Sequence, residues 1–380
     1  MLSRSYALIL TIDPQVLMLY FLNNNWRKGV NVAVSLVTVR RRGWGRLDEH
    51  ERWEEIKSGD MELLKQAVSV IGPWHYVHGD VKVIIECDFS PFIEAYKINT
   101  KSLNVAELSH TLSIEQIEFA LFPELEFVVK VTLETDEDLG RQQCYVSHFV
   151  EQFLYDVFFI LNIARPGVCD FLGVRIDAGR GLVTELRLSA DCFESGFRSL
   201  LAGDSLFAPR ILPLATVVYW YKKLNVGVRQ RAESGVEKAI FSVLHICCGA
   251  DADVVWVIWA FHALEAIYGT KVGEGFTNLV ERISTLLELD GQGKGMLKKR
   301  LREMYDYRSA FVHGGYRVHH PMKNEVMDQS LHEDFKKLLE VSQFGFNLVV
   351  LSLQSLVENG WYGLKIKEQM SGVLSDEFSM

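Results

Sequence analysis

Strand-like patterns stop near residue 207 and do not return, and this change of character limits the possible folds more than any single motif does. Before it, strand patterns and helix patterns mix. Residues 30–39, 81–86 and 125–133 are rich in Val, Ile and Leu and read as strands. Residues 174–176 and 182–188 flank an AGRG turn and read as a hairpin. Residues 47–71 and 142–164 carry apolar side chains at helical spacing, and Gly72-Pro73 and Pro166-Gly167 stop them. A β-rich run at 6–12 leads through Pro14 into a helix-like segment ending near Phe21. Ser113 and Gln116 form a capping-box pattern over a short helical run at 114–121. After residue 207 come six helix patterns in succession, at 214–224, 232–247, 254–268, 276–289, 297–313 and 331–357. The expected class is therefore α+β: a mixed α/β region over 1–205, an all-α bundle over 206–360, and a short tail over 361–380.

Composition removes several functions. With 380 residues the chain is longer than one hydrophobic core usually serves, which agrees with two domains. A net charge of -9 argues against non-specific coating of nucleic acid and confines any such contact to a local basic site. The six cysteines are scattered, with no CxxC, so neither a zinc cluster nor a disulfide framework is expected; mostly buried, reduced thiols in a cytoplasmic protein fit the pattern. The DAGRG stretch lacks the spacing of a phosphate loop. The amino-terminal apolar run is broken by Asp13 and Pro14, unlike a secretion signal, and no apolar run is long and uncharged enough for a bilayer.

The stretch 297–315, LKKRLREMYDYRSAFVHGG, concentrates the chemistry. Leu297, Leu301, Met304, Tyr305, Phe311 and Val312 supply its apolar side, Gly314 and Gly315 stop it, and Lys298, Lys299, Arg300 and Arg302 crowd its first turns. Arg308 and, five residues on, His313 occupy its last turn. A guanidinium binds phosphate through two parallel hydrogen bonds, and an imidazole exchanges protons near neutral pH. Upstream, WAFHALEAIY places Glu265 in an otherwise apolar helix, where an unpaired charge is costly, so Glu265 should have a cationic partner.

YDYRSAFVHGG together with FHALEAIY resembles the Apea-like branch of the HEPN superfamily, whose signature is an Arg, four to six residues, then a His on one helix of an α-helical bundle. The resemblance covers roughly 207–360. It implies metal-independent endoribonuclease activity with no cofactor, giving 2′,3′-cyclic phosphate and 5′-hydroxyl ends. Arg308 and His313 would be catalytic, Glu265 would fix Arg308, and Ser309 and Tyr305 would support them. Ser309 stands where active members often carry Asn, Asp or His. Lys298, Lys299 and Arg302 are candidate RNA contacts. The resemblance further implies a homodimer, RNA such as tRNA as substrate, and a role in bacterial defence against phage through growth arrest. A regulatory protein or phage component would be the trigger, with no membrane involved. The competing expectation is a non-catalytic HEPN module used for dimerisation or regulation. His319 and His320, just beyond the helix in a loop with Pro321, have two readings, as groups lining the same groove or, more simply, as solvent-exposed.

Overall fold

A computed structural model of the chain describes residues 29–41, 46–98, 121, 123–179, 182–203, 206–249, 253–270, 276–320, 322–324 and 326–367. The strand and helix expected between residues 6 and 21, and most of the run expected at 114–121, lie outside them. The protein is mixed α and β: the described residues form a six-stranded antiparallel sheet and ten helices. Two compact units result, one of residues 1–231 with 244–252, the other of 232–243 with 253–380. The division expected between 205 and 206 thus falls inside the first unit.

The first unit is built on the sheet, in the order β2-β3-β4-β1-β5-β6. Its strands are β1 (Gly29–Arg40), β2 (Trp74–His78), β3 (Val81–Cys87), β4 (Glu124–Thr135), β5 (Phe171–Asp177) and β6 (Val183–Leu188). Strands β1 and β4 pair along their whole length, from Gly29 opposite Thr135 to Arg40 opposite Glu124. In β1 the odd-numbered side chains Ala33, Val37 and Val39 are buried while their neighbours are not, the period-2 alternation that makes a half-covered strand readable. Helices α1 (Trp53–Val70), α2 (Ser90–Ile98), α3 (Leu139–Ala164), α4 (Asp191–Leu201) and α5 (Leu214–Leu224) complete the unit. Helix α3 packs on the sheet through a face including Phe149, Val150, Phe153 and Val157, each worth about 1.5–3 kcal/mol when fully buried. Its start is capped by Asp138, whose side chain accepts from the Arg141 N–H.

Buried against α1 is a three-residue ionic cluster. Asp60 accepts from Arg165 Nε at 2.5 Å and faces Arg46 Nε at 3.1 Å, and both guanidiniums lie over the Phe197 ring. Gly59 leaves the room for this, because a Cβ there would sit 2.5 Å from Arg165 Nη2. Arg40, first of the three consecutive arginines, faces Glu124 at 3.9 Å, and Arg41 donates to the Ala95 carbonyl at 3.4 Å, so neither is spent on open solvent alone.

The second unit contains α7 (Val254–Ile267), α8 (Phe276–Leu286), α9 (Gly291–Val312) and α10 (Ser330–Glu358), together with the opening of α6 (Gly235–Cys248). Helix α7 is apolar nearly all round and is packed by α9 and α10, as the burial of Val257, Ala260, Phe261 and Leu264 requires. Gly235 abuts its far end so closely that a Cβ would collide with the Ala266 carbonyl oxygen. Among the described residues no helix is long and apolar enough to cross a membrane. Cys169, Cys192 and Cys247 are buried and Cys87 is half-buried, whereas Cys144 and Cys248 are exposed, so two of the six depart from the mostly buried set expected.

Candidate functional site

Helix α9 begins six residues before the position at which its apolar pattern starts. Asp290 caps it, its side chain accepting from the Gly293 N–H at 2.7 Å, so the glycine-rich GQGKG segment is helical instead of being a turn. Leu297, Leu301 and Met304 then form a fully buried stripe. Met304 reaches Gly345 of α10, where a Cβ would lie 2.5 Å from its Cε. Arg308 stands one turn beyond Met304 on that stripe, at the point where the apolar neighbours run out.

There α7 presents Phe261 and, one turn on, Glu265. The Arg308 guanidinium lies 5.2 Å from the Phe261 ring centroid, and its Nη2 is 3.6 Å from Glu265 Oε2. The cation expected for Glu265 is therefore Arg308. Their side chains keep 38% and 33% of their exposure, so the guanidinium is oriented yet open to a ligand. At such exposure the pair adds only about 0–1 kcal/mol to stability. Its consequence is directional.

Tyr305 packs between Phe261, to which it is tilted at 6.1 Å, and Phe276, which it meets edge-on at 6.0 Å. The basic run divides. Arg302 lies 4.9 Å over Phe276, Arg300 stacks on Phe344 and faces Glu303, and Lys298 and Lys299 extend into solvent. Of the three candidate RNA contacts, then, the two lysines are exposed, with no ion pair among the described residues, and Arg302 is held against an aromatic ring.

The helix end follows from Gly314, which adopts φ +74. That left-handed residue lets the Gly315 N–H reach the Ala310 carbonyl at 2.7 Å while the Gly314 N–H meets that of Phe311 at 3.5 Å, the pair of bonds that closes a Schellman cap. His313 is the residue preceding it, its N–H donating to the Ser309 carbonyl and its side chain exposed. Arg308 and His313 are separated by about 140° around an ideal helix and about 7.5 Å along it. In one copy no hydrogen bond joins the two among the described residues. Phe311 and Val312, expected on the buried side, are instead 43% and 63% exposed, because the packed stripe turns away from them before the helix ends.

Beyond the cap lies a group that sequence reasoning missed. His319 is not solvent-exposed: its side chain keeps 15% exposure, its Nε2 is 3.3 Å from Asp334 Oδ2, and its ring meets those of Tyr316 and Phe335. Burial pushes the pKa of the Tyr307 and Tyr316 hydroxyls upward, and so do nearby carboxylates, Asp334 and Glu303 for Tyr307 and Asp253 then Asp334 for Tyr316. An acidic residue near the start of α10, Asp334, was the available signal, but nothing local links it to residue 319. His320 is exposed.

Searches against family models, curated proteins and solved structures give no match to this chain.

Proposed function

We propose that the second unit carries a metal-independent endoribonuclease site of the HEPN type, in which Arg308 and His313 act on one phosphodiester. The observation that carries this reading is the Arg308–Glu265 pair: a guanidinium held at 3.6 Å by a carboxylate from the neighbouring helix and stacked on Phe261, yet open to solvent. His313 takes the proton of a ribose 2′-hydroxyl, or donates one to the departing 5′-oxygen. The 2′-oxygen attacks phosphorus, the bond to the 5′-oxygen breaks, and the products are a 2′,3′-cyclic phosphate and a 5′-hydroxyl. Arg308 binds the non-bridging oxygens and offsets the charge that grows on them.

Because the two groups diverge around one helix, this chemistry calls for a second copy that brings its own Arg and His to the opposite side of the substrate. The exposed Phe311 and Val312 beside His313 give such a partner apolar surface to cover. Lys298 and Lys299 supply the positive surface along which a polynucleotide lies. Growth arrest in a bacterial cell under phage attack is the role this activity fits.

The test is cleavage of purified tRNA and total cellular RNA by the full chain in excess chelator, with the ends identified by their response to polynucleotide kinase and phosphatase. Arg308→Ala and His313→Ala are expected each to abolish cleavage while leaving the elution volume and thermal melt unchanged. Equal activity in wild type and both variants refutes the site. If all three are inert, the helical unit is a binding module.

A further inference from the structure

A second site lies in the first unit, on the solvent side of α3. Tyr145, His148, Glu151, Gln152 and Tyr155 recur there at helical spacing, beside the face that packs on the sheet, with Phe149 at the boundary. With His78 at the end of β2 and Gln230 in the loop after α5, they line a groove of about 440 Å³ floored by the buried ring of Phe149. That volume falls within the usual range for small-molecule sites.

The walls are flat and aromatic. His78 meets Tyr145 edge-on at 6.4 Å, Tyr145 lies 6.2 Å from Phe149, and Phe149 is backed by Tyr76 at 5.5 Å. One wall is rigid because Gln152 is fixed at both ends of its amide: its Nε2 donates to the buried Asp156 at 3.0 Å and its Oε1 accepts from Gln230 at 3.3 Å. By contrast, the side chains of His148 and Glu151 make no hydrogen bond or ion pair with any described residue. The described lining includes a carboxylate and no Lys or Arg, which disfavours phosphate and other anions. Two imidazoles and the amide oxygen of Gln230, which accepts no hydrogen bond from any described residue, add donors and acceptors that a simple organic cation would leave unused.

We infer that this groove binds a guanine base, stacked on the tyrosine rings, with the Glu151 carboxylate accepting from the adjacent N1–H and N2–H of its Watson–Crick edge. Guanine is the common base that offers two neighbouring donors to one carboxylate, whereas adenine turns a ring-nitrogen lone pair towards it. The site lies within the first unit and needs nothing from Arg308 or His313. The base could belong to a free nucleoside or to single-stranded RNA, and both present the same edge.

The experiment is calorimetric titration of the full chain, wild type and His313→Ala, with guanosine, adenosine, and single-stranded RNA hexamers of adenosine with and without one guanosine. Guanosine, the guanosine-containing hexamer, or both are expected to bind at least about tenfold more tightly than the adenosine counterpart, the size of a charge-assisted hydrogen bond. Binding of the nucleoside identifies a small-molecule site, and binding of the hexamer alone identifies an RNA base. Glu151→Gln, at a side chain with no hydrogen-bond or ion-pair partner among the described residues, is expected to erase that preference. Tyr145→Ala weakens both ligands, with the thermal melt of each variant as the control for folding. Equal affinity for guanosine and adenosine, or binding of neither ligand pair, overturns the assignment. Because binding is read in the His313→Ala background as well, its failure is separable from failure of the nuclease reading.

Discussion

Asp156 should make the first unit lose stability as the pH rises through the mildly acidic range. The carboxyl is buried on α3, where the hydroxyls of Tyr76 and Tyr221 donate to it at 2.7 and 2.8 Å and Gln152 Nε2 at 3.0 Å. Burial is the largest influence and raises its pKa from the ordinary 3.8 to about 6, the hydrogen bonds from Tyr76, Tyr221 and Gln152 pulling the other way. Between those two values the folded chain holds a proton that the unfolded chain has released. The stabilisation is therefore complete below the unfolded value and disappears as the pH climbs through the folded one. A gap of about two pH units corresponds to about 3 kcal/mol, of which about 2.5 kcal/mol falls between about pH 4 and about pH 7.5. Asp156→Asn keeps the shape and removes the titration. Urea unfolding of wild type and variant at both pH values isolates the effect from every other carboxylate, because only the difference between the two proteins matters. Relative to wild type, the variant should gain about 2.5 kcal/mol on going to the higher pH. Parallel curves, with the difference unchanged, would refute the claim that desolvation outweighs the three donors.

The other predictions concern packing and the proposed site. Asp60→Ala leaves the Arg46 and Arg165 guanidiniums buried without their shared carboxylate, so the cost should be about 3–5 kcal/mol, read as a fall in the urea midpoint; a loss under about 1 kcal/mol would show that the two cations find other partners. Gly235→Ala should lower the melting temperature of the second unit by several degrees, about 1–3 kcal/mol for a forced backbone shift, since the added Cβ meets a carbonyl oxygen instead of a yielding side chain. Glu265→Gln should cost less than about 1 kcal/mol in unfolding, as its ion pair is partly exposed, yet lower RNA cleavage at least about tenfold by releasing Arg308; an unchanged cleavage rate would remove Glu265 from the site.

What could be read in advance, and what could not, follows from the range over which each interaction acts. Strands β1, β3 and β4 were legible because alternation is a property of a few consecutive residues. β2 was missed because WHYVH is only five residues long and its alternation, buried at Trp74 and Tyr76, ends there. α4 was missed because Gly196 interrupts its otherwise clear apolar face of Cys192, Phe193 and Phe197. At the site, a carboxylate inside an apolar helix announces by itself that a cation must be near, and this made the Glu265–Arg308 pairing foreseeable.

The sequence alone therefore determined the strand-to-helix order, the stop at Gly314, and the need of Glu265 for a partner, since local periodicity, backbone freedom and desolvation cost do not depend on distant neighbours. Tertiary packing alone decided which side of α9 is covered, leaving Phe311 and Val312 outside and carrying Arg308 to the end of the buried stripe. It also brought His319 to Asp334, and gathered His78, Glu151 and Gln230 round one groove. These juxtapositions join residues far apart along the chain, and only the packing of whole elements, whose energy is summed over many contacts, selects them.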